Sequence, residues 1–268
     1  MSGLHLPVLA PVHWVLLLLG AFCSGLSKTG IAGVGIVSVA VFPLLLPPRE
    51  AVGATLLMLV ATDIVAVTVY RREADWSRLW KLFPWTALGV VLGYLAMGHV
   101  SDANVKKLIG GILLLLVLFM LPQRIAKSRE AARKRGEPDG EADEAARLAS
   151  KTSGPLSAST GVLAGFATMV ANAAGPIMTI YLLALRLPKM AFVGTAAWFF
   201  FVVNLFKVPF GIALGTITPN SALLAAALYP GAFAGALLGR RLLPLIPQTM
   251  FEWLAIVFTA LAGLKLLF

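Results

Sequence analysis

Gly25 to Pro47 reads GLSKTGIAGVGIVSVAVFPLLLP, a glycine-rich turn with one lysine that interrupts an otherwise apolar run. Gly165 to Pro188 reads GFATMVANAAGPIMTIYLLALRLP, a second broken apolar run that also ends in proline. The stretch beyond each break, about Val34 to Leu46 and about Pro176 to Leu185, is short at roughly 10 to 13 residues. Crossing about 30 Å of hydrocarbon takes about 17 to 25 residues of helix. Each break therefore predicts a re-entrant hairpin: one arm goes in, the chain turns inside the membrane, and a half-helix returns to the side of entry.

The composition agrees with a membrane setting. Hydrophobic residues make up 59% and charged residues 13% of the chain, and the mean hydropathy is +0.89. A soluble domain carries about 45–50% apolar and about 25% charged residues. Spans in lipid must satisfy their own backbone, and these runs read as an all-α polytopic membrane protein. The first run, about Leu6 to Ser24, leads into the first break; runs at about Ala51 to Tyr70, Phe83 to Met97 and Val105 to Leu121 follow it. After a polar stretch, Leu156 to Ala171 leads into the second break, and Ala191 to Leu214, Ala222 to Leu238 and Phe251 to Phe268 follow. This predicts a membrane repeat over 1–122, a charged linker over 123–154 and a second repeat over 155–268. Each repeat is a broken hairpin plus three transmembrane helices.

The two halves match residue by residue: Pro47 with Pro188, Val52-Gly53 with Val193-Gly194, Asp63 with Asn204 and, after a one-residue insertion, Gly89 and Gly93 with Gly231 and Gly235. Five segments per half is an odd number, so the second half is expected upside down relative to the first. Basic residues set the orientation. One side receives Arg71, Arg72, Arg78, Lys81, Arg186, Lys189, Arg240 and Arg241, besides the eight basic residues of the linker; the other receives only Arg49, Lys106 and Lys107. The first side is expected to be cytoplasmic, with the linker there and both termini outside. No Lys or Arg precedes Lys28, so the N-terminus does not read as a secretory leader.

Glycine- or proline-broken segments at matching positions of two halves point to a transporter's binding site near the midplane. There each half-helix turns its N-terminus, with free N–H groups and the positive dipole end, toward the ligand, which favours an anion. Gly30, Gly33, Gly35 and Gly175 let backbone approach a ligand closely, and Pro176 suits a first helical turn because it has no N–H to leave unpaired. Among 22 basic and 12 acidic residues, only Lys28, Asp63 and Lys207 fall deep in the apolar runs, where ionisable groups are functional candidates. Lys28 is expected to neutralise the anion. Lys207 either adds a second cation to the site or pairs with Asp63, and Asp63 is alternatively a proton-coupling group. Thr29, Asn172, Thr195 and Asn204 offer hydrogen bonds to an oxyanion; their plainer role is to bond neighbouring helices. Gly89, Gly93, Gly231, Gly235 and Gly239 have the spacing of helix-contact glycines, and Trp76, Trp80 and Trp85 that of interface anchors.

Other classes find little here. The net charge of +10 sits in connections between spans and forms no basic face for nucleic acid. Cys23 is the single cysteine, and His5, His13 and His99 lie near segment ends, so no metal site, cofactor or enzyme is expected. No GxxxxGK[ST] motif marks a nucleotide-driven pump. The expected partners are a small-molecule anion and the lipid bilayer. A passive anion channel fits the same charges, as does a carrier of a non-sulfur organic anion.

The paired hairpins, the Pro-x-x-x-Val-Gly-Ala-Thr run at Pro48 to Thr55, and GFATMVANAAGPIMTIYLLALRLPKMAFVGTAAWFFFVVNLFKVPFGIALG from Gly165 to Gly215 together resemble the TauE/SafE family of sulfite and organosulfonate exporters. The resemblance covers the chain apart from the linker. In the first half Gly33-Val34-Gly35 stands in place of the family's glycine-richer GxGGG. What the resemblance implies is a secondary transporter of the plasma membrane that moves small sulfur-containing anions, sulfite or sulfonates, by alternating access.

Overall fold

The computed structural model describes residues 6–30, 34–99, 101, 104, 111, 153–185, 187 and 189–242. The expected segment at Val105 to Leu121 apart from Gly111, the linker as far as Thr152, the segment Phe251 to Phe268, and Gly33 lie outside the described residues. Within them the chain forms eight helices and no strand: α1 (Pro11–Thr29), α2 (Ile36–Leu45), α3 (Pro48–Tyr70), α4 (Trp76–Gly98), α5 (Ser153–Ala171), α6 (Ala174–Ala184), α7 (Lys189–Ala213) and α8 (Pro219–Leu242). Five of them, α1, α3, α4, α7 and α8, are long and apolar enough to cross a membrane. The two short ones, α2 with 10 residues and α6 with 11, reach only about 15 to 17 Å at 1.5 Å per residue. Large apolar side chains such as Val12, Leu19, Ile64, Leu92, Leu163, Leu205, Ile212 and Leu237 are exposed on the outer surface, as lipid-facing positions are.

Local chemistry places the helix ends. Pro11 and Pro48 each occupy a first turn, where a missing N–H costs nothing. Asp75 caps α4 by accepting from the Arg78 N–H at 3.3 Å, which starts that helix in the polar connection, seven residues ahead of the expected Phe83. Thr218 and Ser221 exchange bonds at the head of α8, Ser221 N–H to Thr218 Oγ1 at 3.1 Å and Thr218 N–H to Ser221 Oγ at 2.8 Å, a reciprocal cap. Gly215, with φ of +66°, takes the left-handed position that closes α7.

One expectation needs correction. The sequence suggested that the first break begins at Gly25, but α1 stays helical through Lys28 to Thr29 and ends where the Gly30 N–H bonds the Leu26 carbonyl at 3.1 Å. Gly25 is there for contact: a Cβ on it would collide with the Ala232 carbonyl group and come within 2.8 Å of the Ala236 nitrogen of α8. The same device recurs along α8, where Gly231, Gly235 and Gly239 face Leu18, Phe22 and Leu26 of α1, and along α4, where Gly89 and Gly93 face Val162, Phe166 and Met169 of α5. Small residues let the backbones approach.

The helix partnerships follow. In each hairpin the arms pack together, α1 on α2 and α5 on α6; α1 then packs on α8 and α4 on α5, while α3 lies along α7. The last pair is antiparallel. Gly53 at the start of α3 packs against Thr216 just past the end of α7, Asp63 bonds Asn204 mid-helix, and Trp198 Nε1–H donates to the Arg71 carbonyl at 3.3 Å beyond the end of α3. Two large buried clusters fill the interior, one around Leu17, Phe42, Met58 and Leu228, the other around Met169, Tyr181, Phe199 and Leu82, and a small third joins Ala66, Val67 and Ala197.

Candidate functional site

Between the two broken hairpins lies a cavity of about 80 Å³. A cavity needs about 10–15 Å³ to hold one water, so the space fits a small polyatomic ligand. Gly35, the N-cap of α2, and Gly175, in the first turn of α6, both border it. Two half-helix N-termini therefore meet one cavity, and their dipoles make it attractive to negative charge. Among the described residues nothing lies within 4 Å of a Cβ built on Gly175, so this glycine keeps the cavity open.

Lys28 borders the cavity from the last turn of α1. Its Nζ sits 2.7 Å from Asp63 Oδ1 and 4.0 Å from the centroid of the Phe200 ring. Asp63, fully buried on α3, accepts a second bond from Asn204 Nδ2 at 2.7 Å. Lys207, also fully buried, donates to Thr168 Oγ1 at 3.0 Å, Asn172 Oδ1 at 2.6 Å and Asn204 Oδ1 at 3.4 Å. Asn172 stands at the α5–α6 break with φ of 51°, a left-handed conformation that asparagine tolerates. It is fixed there by Lys207 on its oxygen and, through its Nδ2, by the Val52 carbonyl at 3.0 Å. Lys28, Asp63, Asn204, Lys207 and Asn172 thus form one unbroken polar chain across α1, α3, α7 and the second break.

This arrangement brings together most of the sequence-predicted residues. Lys28, Gly30, Gly35, Asn172, Gly175 and Asn204 border the cavity. Gly30 also serves packing, since a Cβ there would come 2.8 Å from Gly239 Cα. Pro176 falls in the first turn of α6, which begins two residues ahead of it. The direct Asp63–Lys207 pairing is not the one formed: Lys28 takes the carboxylate, and Asn204, one helical turn before Lys207, stands between the two. Lys207 itself lies behind the cavity wall. Two threonines point elsewhere. Thr29 Oγ1 donates to the Ala236 carbonyl at 2.6 Å, while its own carbonyl accepts from Tyr70 Oη–H at 2.6 Å. Thr195 Oγ1 accepts the Asp75 N–H at 2.8 Å, tying the head of α7 to that of α4.

Sequence reasoning passed over several wall residues. Ser24, Ser27, Ser38, Thr168, Thr179 and Phe200 border the cavity as well. Ser24 Oγ is buried without a hydrogen-bond partner among the described residues. A signal for the serines existed in their spacing, because positions 24, 27 and 28 share one helix face. Among the described residues no three His, Cys, Asp or Glu side chains come together as a metal site would need.

Away from the spans, burial pushes the Asp75 carboxyl up, but bonds from Ser77 Oγ and the Arg78 N–H, with the Arg78 charge, outweigh it and hold the group below its ordinary value.

A family model described as sulfite exporter TauE/SafE matches residues 17–266. The chain belongs to that family and is a multi-pass membrane protein of transport. Neither a curated protein nor a solved structure matches it.

Proposed function

We propose that this member of the sulfite exporter TauE/SafE family is a secondary transporter of the cell membrane that exports small sulfur-containing anions, such as sulfite or organosulfonates. The anion binds between the two hairpin tips, and the site opens to each side of the membrane in turn. The observation that carries this reading is the convergence of Lys28 and the N-termini of both half-helices on one small cavity. Ser24, whose buried hydroxyl has no hydrogen-bond partner among the described residues of the same wall, adds a donor that an oxyanion would satisfy.

Two inverted-topology repeats, 1–122 and 155–268, are part of the proposal. The antiparallel course of α3 and α7 supports it, as does the exchange of contacts: Gly53 of α3 packs on the connection after α7, and Gly194 of α7 packs on Glu73 and Ala74 in the connection after α3. The linker is placed in the cytoplasm and both termini outside, from the distribution of basic residues. Asp63 is the proton-coupling candidate, because any movement that separates it from Lys28 leaves a buried carboxylate to be neutralised.

The test is binding of sulfite, simple sulfonates and a carboxylate control to the purified full-length protein in detergent, followed by flux into proteoliposomes. Sulfur oxyanions should stabilise the wild type and not Lys28→Ala, and flux should saturate. Unsaturable flux at high anion concentration would identify a passive channel instead, and stabilisation by carboxylates alone would replace the sulfur anion with an organic acid.

A further inference from the structure

The buried charges around the cavity do not cancel. Lys28 has Asp63 against it at 2.7 Å, whereas Lys207 is held by three neutral oxygens, on Thr168, Asn172 and Asn204. Three acceptors match the three protons of an ammonium group. Among the described residues the cluster therefore sets two lysines against one carboxylate, and with all three ionised one positive charge is left over. Lys28 and Asn204 border the cavity, while Asp63 and Lys207 lie behind them. A singly charged ligand brings the cluster to neutrality. A doubly charged one leaves a net negative charge beside Phe192, Ala197, Phe200 and Met178, apolar walls that cannot solvate it.

We propose that Asp63 is the specificity-determining residue for ligand charge, holding the site to singly charged oxyanions ahead of doubly charged ones without touching the ligand. This rests on the reading of the cavity as an anion site and adds to it which charge class is taken. Asp63 is suited to the role by position: through Oδ1 it offsets part of the Lys28 charge, and through Oδ2 it fixes the Asn204 amide that leads to Lys207. Lys207 sets the same balance from the other end of the chain.

Methanesulfonate and sulfate make the probe pair. Both are tetrahedral, and a methyl group in one stands where the other has a charged oxygen. Their affinities are measured by calorimetry on the purified full-length protein, and the readout is their ratio, because damage to the fold lowers both together. The wild type is expected to favour methanesulfonate. Asp63→Asn adds one net positive charge and should move the ratio toward sulfate by about ten-fold or more. Lys207→Gln removes one and should move it the opposite way. The double substitution restores the balance and should return the ratio to that of the wild type. If Asp63→Asn does not fold, the Lys207→Gln arm still reads the charge effect by itself. A ratio that stays constant across the folded variants, or that moves in the same direction for both single substitutions, overturns the proposal. If neither anion binds the wild type, or Lys28→Ala leaves both affinities intact, the anion site itself is refuted and the charge assignment falls with it.

Discussion

Replacing Lys28 with methionine keeps the bulk of the side chain and removes its charge, which isolates the ion pair from cavity effects. In the wild type Lys28 Nζ lies 2.7 Å from Asp63 Oδ1, with side-chain exposures of 9% and 0%, so solvent screens the pair little. After Lys28→Met the carboxylate keeps only the Asn204 amide, 2.7 Å away. Stranding one charge of a buried pair costs about 3–5 kcal/mol. A chain of this size loses about 2–4 °C in Tm per kcal/mol, so the midpoint should fall by about 6–20 °C. Lys28→Met/Asp63→Leu removes the stranded carboxylate and should recover most of that loss. What remains is about 1–3 kcal/mol for the Asn204 N–H left without an acceptor. Thermal unfolding in detergent, followed by tryptophan fluorescence, measures both. A drop of less than about 2–4 °C for the single variant, or a double variant no more stable than the single, would refute the view that Lys28 is what allows Asp63 to be buried.

Ser24→Ala should hold or raise stability, because it deletes a buried hydroxyl without a partner among the described residues, worth up to about 1–3 kcal/mol, yet it should weaken sulfonate binding; a loss of stability would mean the hydroxyl is already satisfied. Two glycines to alanine make a matched pair: at Gly165 the new Cβ would lie 2.9 Å from the Val90 nitrogen and 3.0 Å from Gly89 Cα, costing about 1–3 kcal/mol, while at Gly175 it meets open space, keeps the fold and lowers anion affinity. Equal melting points for the two would contradict the packing described. Asp75→Ala should cost about 0.5–2 kcal/mol at neutral pH through the lost cap. Because the folded Asp75 value lies below its ordinary one, its contribution is complete above about pH 4 and is lost as pH falls through the folded value. The stability gap between wild type and Asp75→Ala should therefore narrow on acidification, and a gap that stays constant down to about pH 3 would show that the charge of Asp75 contributes nothing.

The five long spans among the described residues and both short arms were legible because lipid-crossing helices are written as uninterrupted apolar length, and Pro47 and Pro48 mark an end without ambiguity. Gly25 shows where that legibility stops. A glycine in an apolar run signals a break or a close helix contact with the same letter, and the contact that decides it, Ala232 of α8, lies over two hundred residues away. The pairing of Asp63 was hidden for a similar reason: two lysines were available, and only the register of α1 on α3 brings Lys28 to it. Thr195 sits at the head of α7, where its hydroxyl accepts the Asp75 N–H instead of bordering the cavity, a contact between helices that only the fold brings together. Asn172 and Asn204 stood out because an amide deep in an apolar run has to bond something, and both border the cavity.

The polar chain also bears on how such a protein changes state. Moving the first hairpin separates Lys28 from Asp63; moving the second separates Asn172 from Lys207. Asp63 and Asn204 join the two helices that carry those partners, so neither hairpin is isolated from the other. An empty protein that breaks the Lys28–Asp63 contact bears about 3–5 kcal/mol for uncompensated charge, enough to hold the separated arrangement to well under one part in a hundred. On the proposed reading, an anion bound at Lys28 takes over the neutralisation of that lysine, and a proton on Asp63 discharges the carboxylate left without its partner. On that reading ligand and proton act on the same equilibrium from the two sides of one ion pair, the ligand at Lys28 Nζ and the proton at the Asp63 carboxylate. On that basis the Lys28→Met/Asp63→Leu variant, although stable, should exchange no anion across a membrane.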